Sequence, residues 1–208
     1  LRVREGGSVE VTAPRRVSER EIRDFVAGKT AWLTKYMALV PEKIKFQYVT
    51  GEIHHVFGRA YPLQVCLGMR DDAAVLTDGE LRLLLRTKQR EREKVFKAGM
   101  KRILLWEIEK QLEIWTKRMA IPESRITGVT IRVMKSRWGS CLRVTGRFSF
   151  ALDLVTKPKE CIEAVVVHEL CHLFAAGHGP DFYARMETYL PDYKERDRLL
   201  SSLPRELI

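Results

Sequence analysis

Apolar positions recur along this chain with two periods, and the switches between them mark out its elements. Near the start, Val3, Val9 and Val11 alternate with polar residues around Gly6-Gly7 and stop at Pro14, which predicts a hairpin. Ser18 and Glu21 stand at capping-box spacing. Behind them Ile22, Phe25, Val26, Leu33 and Tyr36 follow a helical period that Pro41 closes. Over residues 46–86 the period returns to two. Residues 53–57 and 61–67 flank Gly58-Arg59, while Val75-Leu76 and residues 81–85 flank Asp78-Gly79, so this stretch predicts a β meander. His54 and His55 fall within it. Adjacent strand residues face opposite ways, so the two cannot share one site, and we read both as non-ligands.

A long amphipathic helix is predicted over residues 91–119, with Phe96, Ile103, Leu104, Ile108, Leu112 and Trp115 as its apolar stripe and Pro122 beyond its end. Val129, Ile131 and Val133 then alternate as a strand, and Gly146 turns the chain into a second one over residues 147–152. Pro158 opens another helix, whose residues 161–167 are apolar enough to be buried. Pro180 suits a further first turn, followed by Phe182, Met186 and Leu190 at helical spacing. The pattern shows no internal repeat, low-complexity tract or long linker. It favours a division near residue 88, between an N-terminal hairpin, helix and meander (1–87) and a more helical part (88–208).

Composition narrows the class. In 208 residues, 45% hydrophobic and 31% charged content is that of an ordinary globular chain with room for a sizeable core. No apolar run reaches the length of a membrane span, so no membrane association is expected. There is no basic-plus-apolar leader, although Leu1 in place of Met leads us to expect missing N-terminal residues. Cys66, Cys141, Cys161 and Cys171 have no paired spacing, and Cys171 reads as a small core hydrophobe rather than a ligand. Free thiols without an export signal predict a cytoplasmic protein. The net charge of +10 concentrates in residues 86–102, where eight bases face Glu91 and Glu93. Such a run is either the solvated face of a helix or a surface for an anionic partner, nucleotide or nucleic acid.

The candidate chemistry lies in His168-Glu169-Leu170-Cys171-His172, an HExxH pentapeptide on the apolar helix. Residues four apart share a helix face, so His168 and His172 can aim two imidazoles at one Zn²⁺, with Glu169 beside them as general base. Three of the five histidines in the chain fall within residues 168–178, and a core helix has little reason to bury such groups unless something satisfies them. A hydrolytic site needs a third ligand and an open position. His178, six residues beyond His172, has the spacing of the metzincin signature, with Ala175 where that signature has glycine. A carboxylate on the next helix is the competitor, Glu187 first, then Asp181 and Asp192. We favour His178.

These motifs resemble the YgjP-like metallopeptidase family, relatives of the SprT and minigluzincin zincins, over nearly the whole chain. The most specific pieces are Lys135-Ser136-Arg137-Trp138-Gly139-Ser140-Cys141 and the HExxH helix, with His178 and Pro191-Asp192-Tyr193 matching in order. Ala13-Pro14 and Ala31-Trp32-Leu33 fit the N-terminal half. Ser149-Phe150-Ala151-Leu152-Asp153 and the glycines flanking His178 (Gly177 and Gly179) depart from the family pattern. The resemblance implies an α+β fold: a zincin-like catalytic domain, a small twisted sheet packed on the HExxH helix, with a β-rich N-terminal part. It further implies a zinc metallopeptidase acting on a peptide or protein. The oxyanion of such a reaction needs a stabiliser, and Arg137 and Tyr183 are our candidates for that transition-state or substrate contact. The strand over residues 147–152 is expected to pair with the substrate backbone. Alternatively Trp138 packs under the metal helix and Arg137 pairs with an acid. Two other functions stay open. One is a metal-dependent nucleoside triphosphate pyrophosphohydrolase on the same site; the other is a DNA-associated protease or nucleic-acid-binding module using the basic surface.

Overall fold

The structure, a computed structural model, describes residues 2–3, 9–14, 16–31, 33–34, 46–88 and 91–205. It forms two compact units, Leu1–Lys45 and Phe46–Ile208. In the first, strand β1 (Arg2–Val3) pairs antiparallel with β2 (Val9–Glu10), Val3 opposite Val9. These are the arms of the expected hairpin; Gly6-Gly7 lies outside the described residues. Helix α1 (Glu19–Ala27) starts at the capping box read from Ser18 and Glu21. The Glu21 amide donates to Ser18 Oγ at 3.3 Å, and the Ser18 amide donates to Glu21 Oε2 at 2.8 Å. Tyr36 and Pro41 of the predicted helix lie outside the described residues.

In the second unit, strands β3 (Ile53–Val56), β4 (Arg59–Leu67), β5 (Ala73–Thr77) and β6 (Glu80–Leu85) form one sheet. Two left-handed residue pairs make its tight turns: Phe57-Gly58, with φ of 51° and 78°, and Asp78-Gly79, with φ of 51° and 79°. Such pairs match the twist of the strands they join. The strand order is β3-β4-β6-β5, so the sheet is not the predicted meander. Strand β6 lies between β4 and β5 and runs parallel to β4, with Leu63 opposite Leu81. The physical reason is burial. Leu81, Leu83 and Leu85 of β6 are all fully buried, whereas β5 buries only Ala74, so β6 takes a central place and β5 an edge.

Helix α2 (Arg92–Arg118) packs on this sheet with Phe96, Met100, Leu104, Ile108, Leu112 and Trp115 buried, much as the apolar stripe predicts. The division expected near residue 88 therefore falls inside one hydrophobic core, and the units part between Lys45 and Phe46 instead. Periodicity could not show this, because it records which face of an element is apolar and not what covers that face. The basic run at the head of α2 is partly engaged. Arg92 donates to the Tyr48 carbonyl at 3.2 Å, Lys94 lies 3.8 Å from Glu91, and Lys97 pairs with Glu93.

A second sheet follows, from β7 (Gly128–Arg132), β8 (Gly139–Leu142) and β9 (Arg147–Ala151), in the order β7-β9-β8. A 3-10 turn over Leu152–Thr156 leads into α3 (Lys159–Cys171), the HExxH helix. Cys161, Ile162, Val166, Val167, Leu170 and Cys171 of α3 are fully buried. Helices α4 (Pro180–Tyr189) and α5 (Tyr193–Ser202) pack against it, as does β8. The fold class is α+β, with a small sheet against the HExxH helix as expected. All four cysteines are free, and burial pushes the thiols of Cys161 and Cys171 up to about 11. No helix among the described residues is long and apolar enough to cross a membrane.

The approach of α2 to the sheet depends on Gly99. A Cβ there would fall 2.4 Å from the Ala74 carbonyl oxygen and 2.5 Å from Ala74 Cβ. Alanine favours a helix over glycine by about 1 kcal/mol, but such crowding costs about 1–3 kcal/mol. Gly99→Ala should therefore lower the urea midpoint without changing the m-value. An unchanged or raised midpoint would mean that helix and strand can separate freely.

Candidate metal centre

His168 lies in the last turn of α3, and His172 caps its end with φ −66° and ψ −16°, still helical. The four-residue spacing therefore keeps both side chains on one face, with ring centroids 5.0 Å apart. His172 Nδ1 lies 3.2 Å from the Ala175 carbonyl in the turn after the helix, which leaves Nε2 for a ligand. His178 comes from the same turn, just before α4. Its Nε2 lies 3.0 Å from Nε2 of His168. The ligand atoms of the three histidines all lie within 4.8 Å of one another. Phe182, from the first turn of α4, sets its buried ring 4.9, 4.8 and 4.7 Å from the centroids of His168, His172 and His178. It forms an apolar floor beneath all three.

This donor set fits a divalent cation. Zn–N bonds of about 2.0–2.1 Å at tetrahedral angles separate two ligand nitrogens by roughly 3.3 Å, near the spacing seen between His168 and His178. Burial, with the neighbouring charges of His172 and His178, pulls the His168 imidazole down to about 4. His172 is lowered too, chiefly by burial. Both are thus neutral near pH 7, the form that ligates. Among the described residues these three are the donors brought together. Glu187 instead receives Lys194 at 2.7 Å, and Asp192 receives Arg196 at 2.9 Å.

Glu169 is 4% exposed. Burial pushes its carboxyl up to about 8, against the opposing pull of Arg137. A cation beside it would favour the carboxylate. The carboxyl lies over the backbone of Gly139, the first residue of β8. A Cβ on Gly139 would stand 2.5 Å from Glu169 Oε1 and 2.7 Å from its Cγ. Sequence reading took the heptapeptide around Gly139 as a family motif but missed both this contact and the strand. The signal was there: a lone glycine in a segment that must pass close to something.

The site opens into a cleft of ≈ 650 Å³. Strand β8 forms one wall, with Arg137 and Trp138 before it and Arg143 after it, while α4 and α5 supply Tyr183, Tyr193 and Asp197. The expected substrate-pairing strand is corrected here. Strand β9 is bonded on both sides, by β7 and β8, and has no free edge; β8 is the edge that borders the cleft. Trp138 is half-buried and packs against the hydrophobic core. Its ring stacks on the Arg205 guanidinium, 3.9 Å from ring centroid to Cζ, and Arg205 also donates to the Met134 carbonyl at 3.0 Å. Arg137 does not pair with an acid as the alternative reading had it. It is exposed and makes no hydrogen bond or ion pair among the described residues, while its charge acts on Glu169. Tyr183 is 44% exposed, with its ring centroid 6.4 Å from that of His178. His54 and His55 lie elsewhere; His54 is buried against Phe46 and Phe96 and lies 2.9 Å from Glu52.

Comparison with known proteins assigns the same class, a metal-dependent peptidase. Residues 1–203 match the YgjP-like metallopeptidase domain, and the chain belongs to that family. Among solved structures, it is similar to the metallopeptidase zymogen of Pyrococcus abyssi abylysin at 23% identity and a TM-score of 0.41, covering 49% of this chain and 99% of that one. No curated protein matches.

Gly139 supplies a test of the site's geometry. Glu169 meets an added Cβ with its side chain and can swing away, so Gly139→Ala should leave folding and metal content intact. The displaced carboxyl should cost about a hundredfold in turnover, the scale of a 1 Å misplacement. Wild-type turnover in that variant, with metal loading equal, would show that the Glu169–Gly139 contact is not needed.

Proposed function

We propose that this chain is a zinc peptidase in which His168, His172 and His178 hold the metal and Glu169 is the general base. The observation that carries the reading is the convergence of the three imidazoles to within 4.8 Å, with a buried carboxyl one residue from His168. Zn²⁺, when bound, supplies a Lewis acid that acidifies water and polarises the scissile carbonyl. The Ala175 carbonyl orients His172, and Phe182 keeps the inner side of the imidazoles dry. Glu169 takes a proton from the attacking water on its carboxylate and delivers it to the leaving amine. Gly139 gives that carboxylate room to lie beside the cleft.

The remaining need is a group that stabilises the developing oxyanion. Arg137 is the first candidate, since it has no competing partner and its field reaches Glu169. Tyr183 is the second, as a phenol beside His178 on the opposite wall. The free edge of β8 offers backbone donors and acceptors to an extended peptide, the mode of strand addition.

Two variants test this. His178→Ala should lower zinc affinity, read by metal analysis after dialysis; undiminished binding would move the third ligand to Glu187 or another acid. Glu169→Gln should keep zinc and fold yet lose about 10²–10⁴-fold in peptide hydrolysis. Assaying unstructured protein and nucleoside triphosphates side by side separates peptide from phosphoanhydride hydrolysis. Phosphate release that depends on Glu169, without peptide cleavage, would overturn the peptidase reading.

A further inference from the structure

The two ends of strand β8 each carry an arginine into the cleft wall, Arg137 before it and Arg143 after it. Both are exposed, and neither makes a hydrogen bond, ion pair or ring contact among the described residues. Arg196 is held by Glu163 and Asp192, Arg82 by Glu80, and Arg205 by Trp138 and the Met134 carbonyl. Other arginines of this unit, Arg59 and Arg147 among them, also make no side-chain contact of these kinds among the described residues, so what sets Arg137 and Arg143 apart is their place in the cleft lining. Two fixed acids line the same cleft. Glu169 is committed to proton transfer, and Asp197 stands on the opposite wall, on α5. The β8 wall therefore presents two exposed cations to the cleft, the α5 wall carries an acid, and the chain as a whole is at +10.

We propose that the cleft selects peptides carrying an aspartate or glutamate side chain on the β8 side, read by Arg143, with Arg137 left to the developing oxyanion. This rests on the peptidase reading of the same site. A peptide laid along the β8 edge places alternate side chains toward and away from the wall. The preference is accordingly confined to particular positions around the scissile bond rather than to overall peptide charge. Asp197 gives it a direction: a residue facing α5 gains nothing from being acidic. Guanidinium suits this role because its planar fork can bind a carboxylate through two parallel hydrogen bonds.

The test uses the full zinc-loaded chain and a peptide series in which each position near the scissile bond carries Asp, Ala or Lys. At low salt, Asp over Lys at one position on the β8 side should raise kcat/KM by roughly fivefold or more, the scale of a single rim charge pair. High salt should shrink the difference. Arg143→Glu should invert the preference at that position, whereas Arg143→Lys should keep its sign. Cleavage of the Ala peptides with no charge preference, or an unchanged preference in Arg143→Glu, would overturn the inference and leave the peptidase reading standing. Should the wild type cleave none of the series, the peptidase reading fails. Titration of the same peptides into Glu169→Gln then decides the inference separately, equal binding of Asp and Lys peptides being the outcome that overturns it. Inhibition by DNA or nucleoside triphosphate at concentrations where the Asp peptide has no effect would give Arg143 to phosphate instead.

Discussion

Helix α3 is buried on nearly every side and yet carries polar chemistry at its C-terminal end, and the rest of the molecule is arranged around that conflict. A carboxyl or imidazole removed from water is costly unless something satisfies it. Glu169 is 4% exposed, and burial alone drives its carboxyl toward the protonated form. The surroundings compensate piece by piece. The Ala175 carbonyl faces one nitrogen of His172, Phe182 fills the space under the three rings, and Gly139 gives up a side chain so that Glu169 can lie against β8. Three imidazoles facing one another are poorly satisfied by themselves, and a divalent cation is what such a donor set would accept.

Holding α3 in place requires polar contacts as well as apolar ones. Trp115 of α2 donates its indole N–H to Glu163 at 3.0 Å, and Arg196 of α5 pairs with the same carboxylate. Near the start of α3, Lys159 sits 2.8 Å from Glu107 Oε2, a buried carboxylate that also receives Gln111 at 2.9 Å. The Lys159 contact is a charge contact without the direction of a hydrogen bond. Such pairs add little net stability over apolar packing, but losing one partner leaves a buried charge exposed to its full desolvation cost. They bind α3 to α2 and α5 while leaving its histidine face toward the cleft.

The opposite wall is held from a distance. The loop that delivers Arg137 and Gly139 is pinned through Trp138, against which Arg205 stacks from near the C-terminus. Lys157, 2% exposed, lies 5.9 Å from the same ring and donates to the Pro204 carbonyl. The Ala151 amide donates to the Trp138 carbonyl at 2.8 Å, tying the loop to the end of β9. The cleft wall therefore depends on residues more than sixty positions away along the chain, which no local motif can announce.

What the sequence determined by itself was whatever depends on near neighbours. The helical period of α2, the capping box of α1, the turn at Asp78-Gly79 and the shared face of His168 and His172 all rest on contacts within a few residues. His178 belongs to this group, because a short turn after α3 cannot take it far from His172. What only the tertiary structure decided is pairing and covering. Strand β6 displaced β5 from the centre of its sheet because its leucines needed burial on both neighbours, and β8 became the cleft edge because β9 was already bonded on both sides. Whether Arg137 is paired or free, and which side chain Gly139 must make room for, depended on elements brought together from distant parts of the chain. Local sequence carries the dihedral preferences and the side-chain faces. It does not carry the identity of the partner that a face will meet, because that is set by competition among all the apolar surfaces of the chain for the same core.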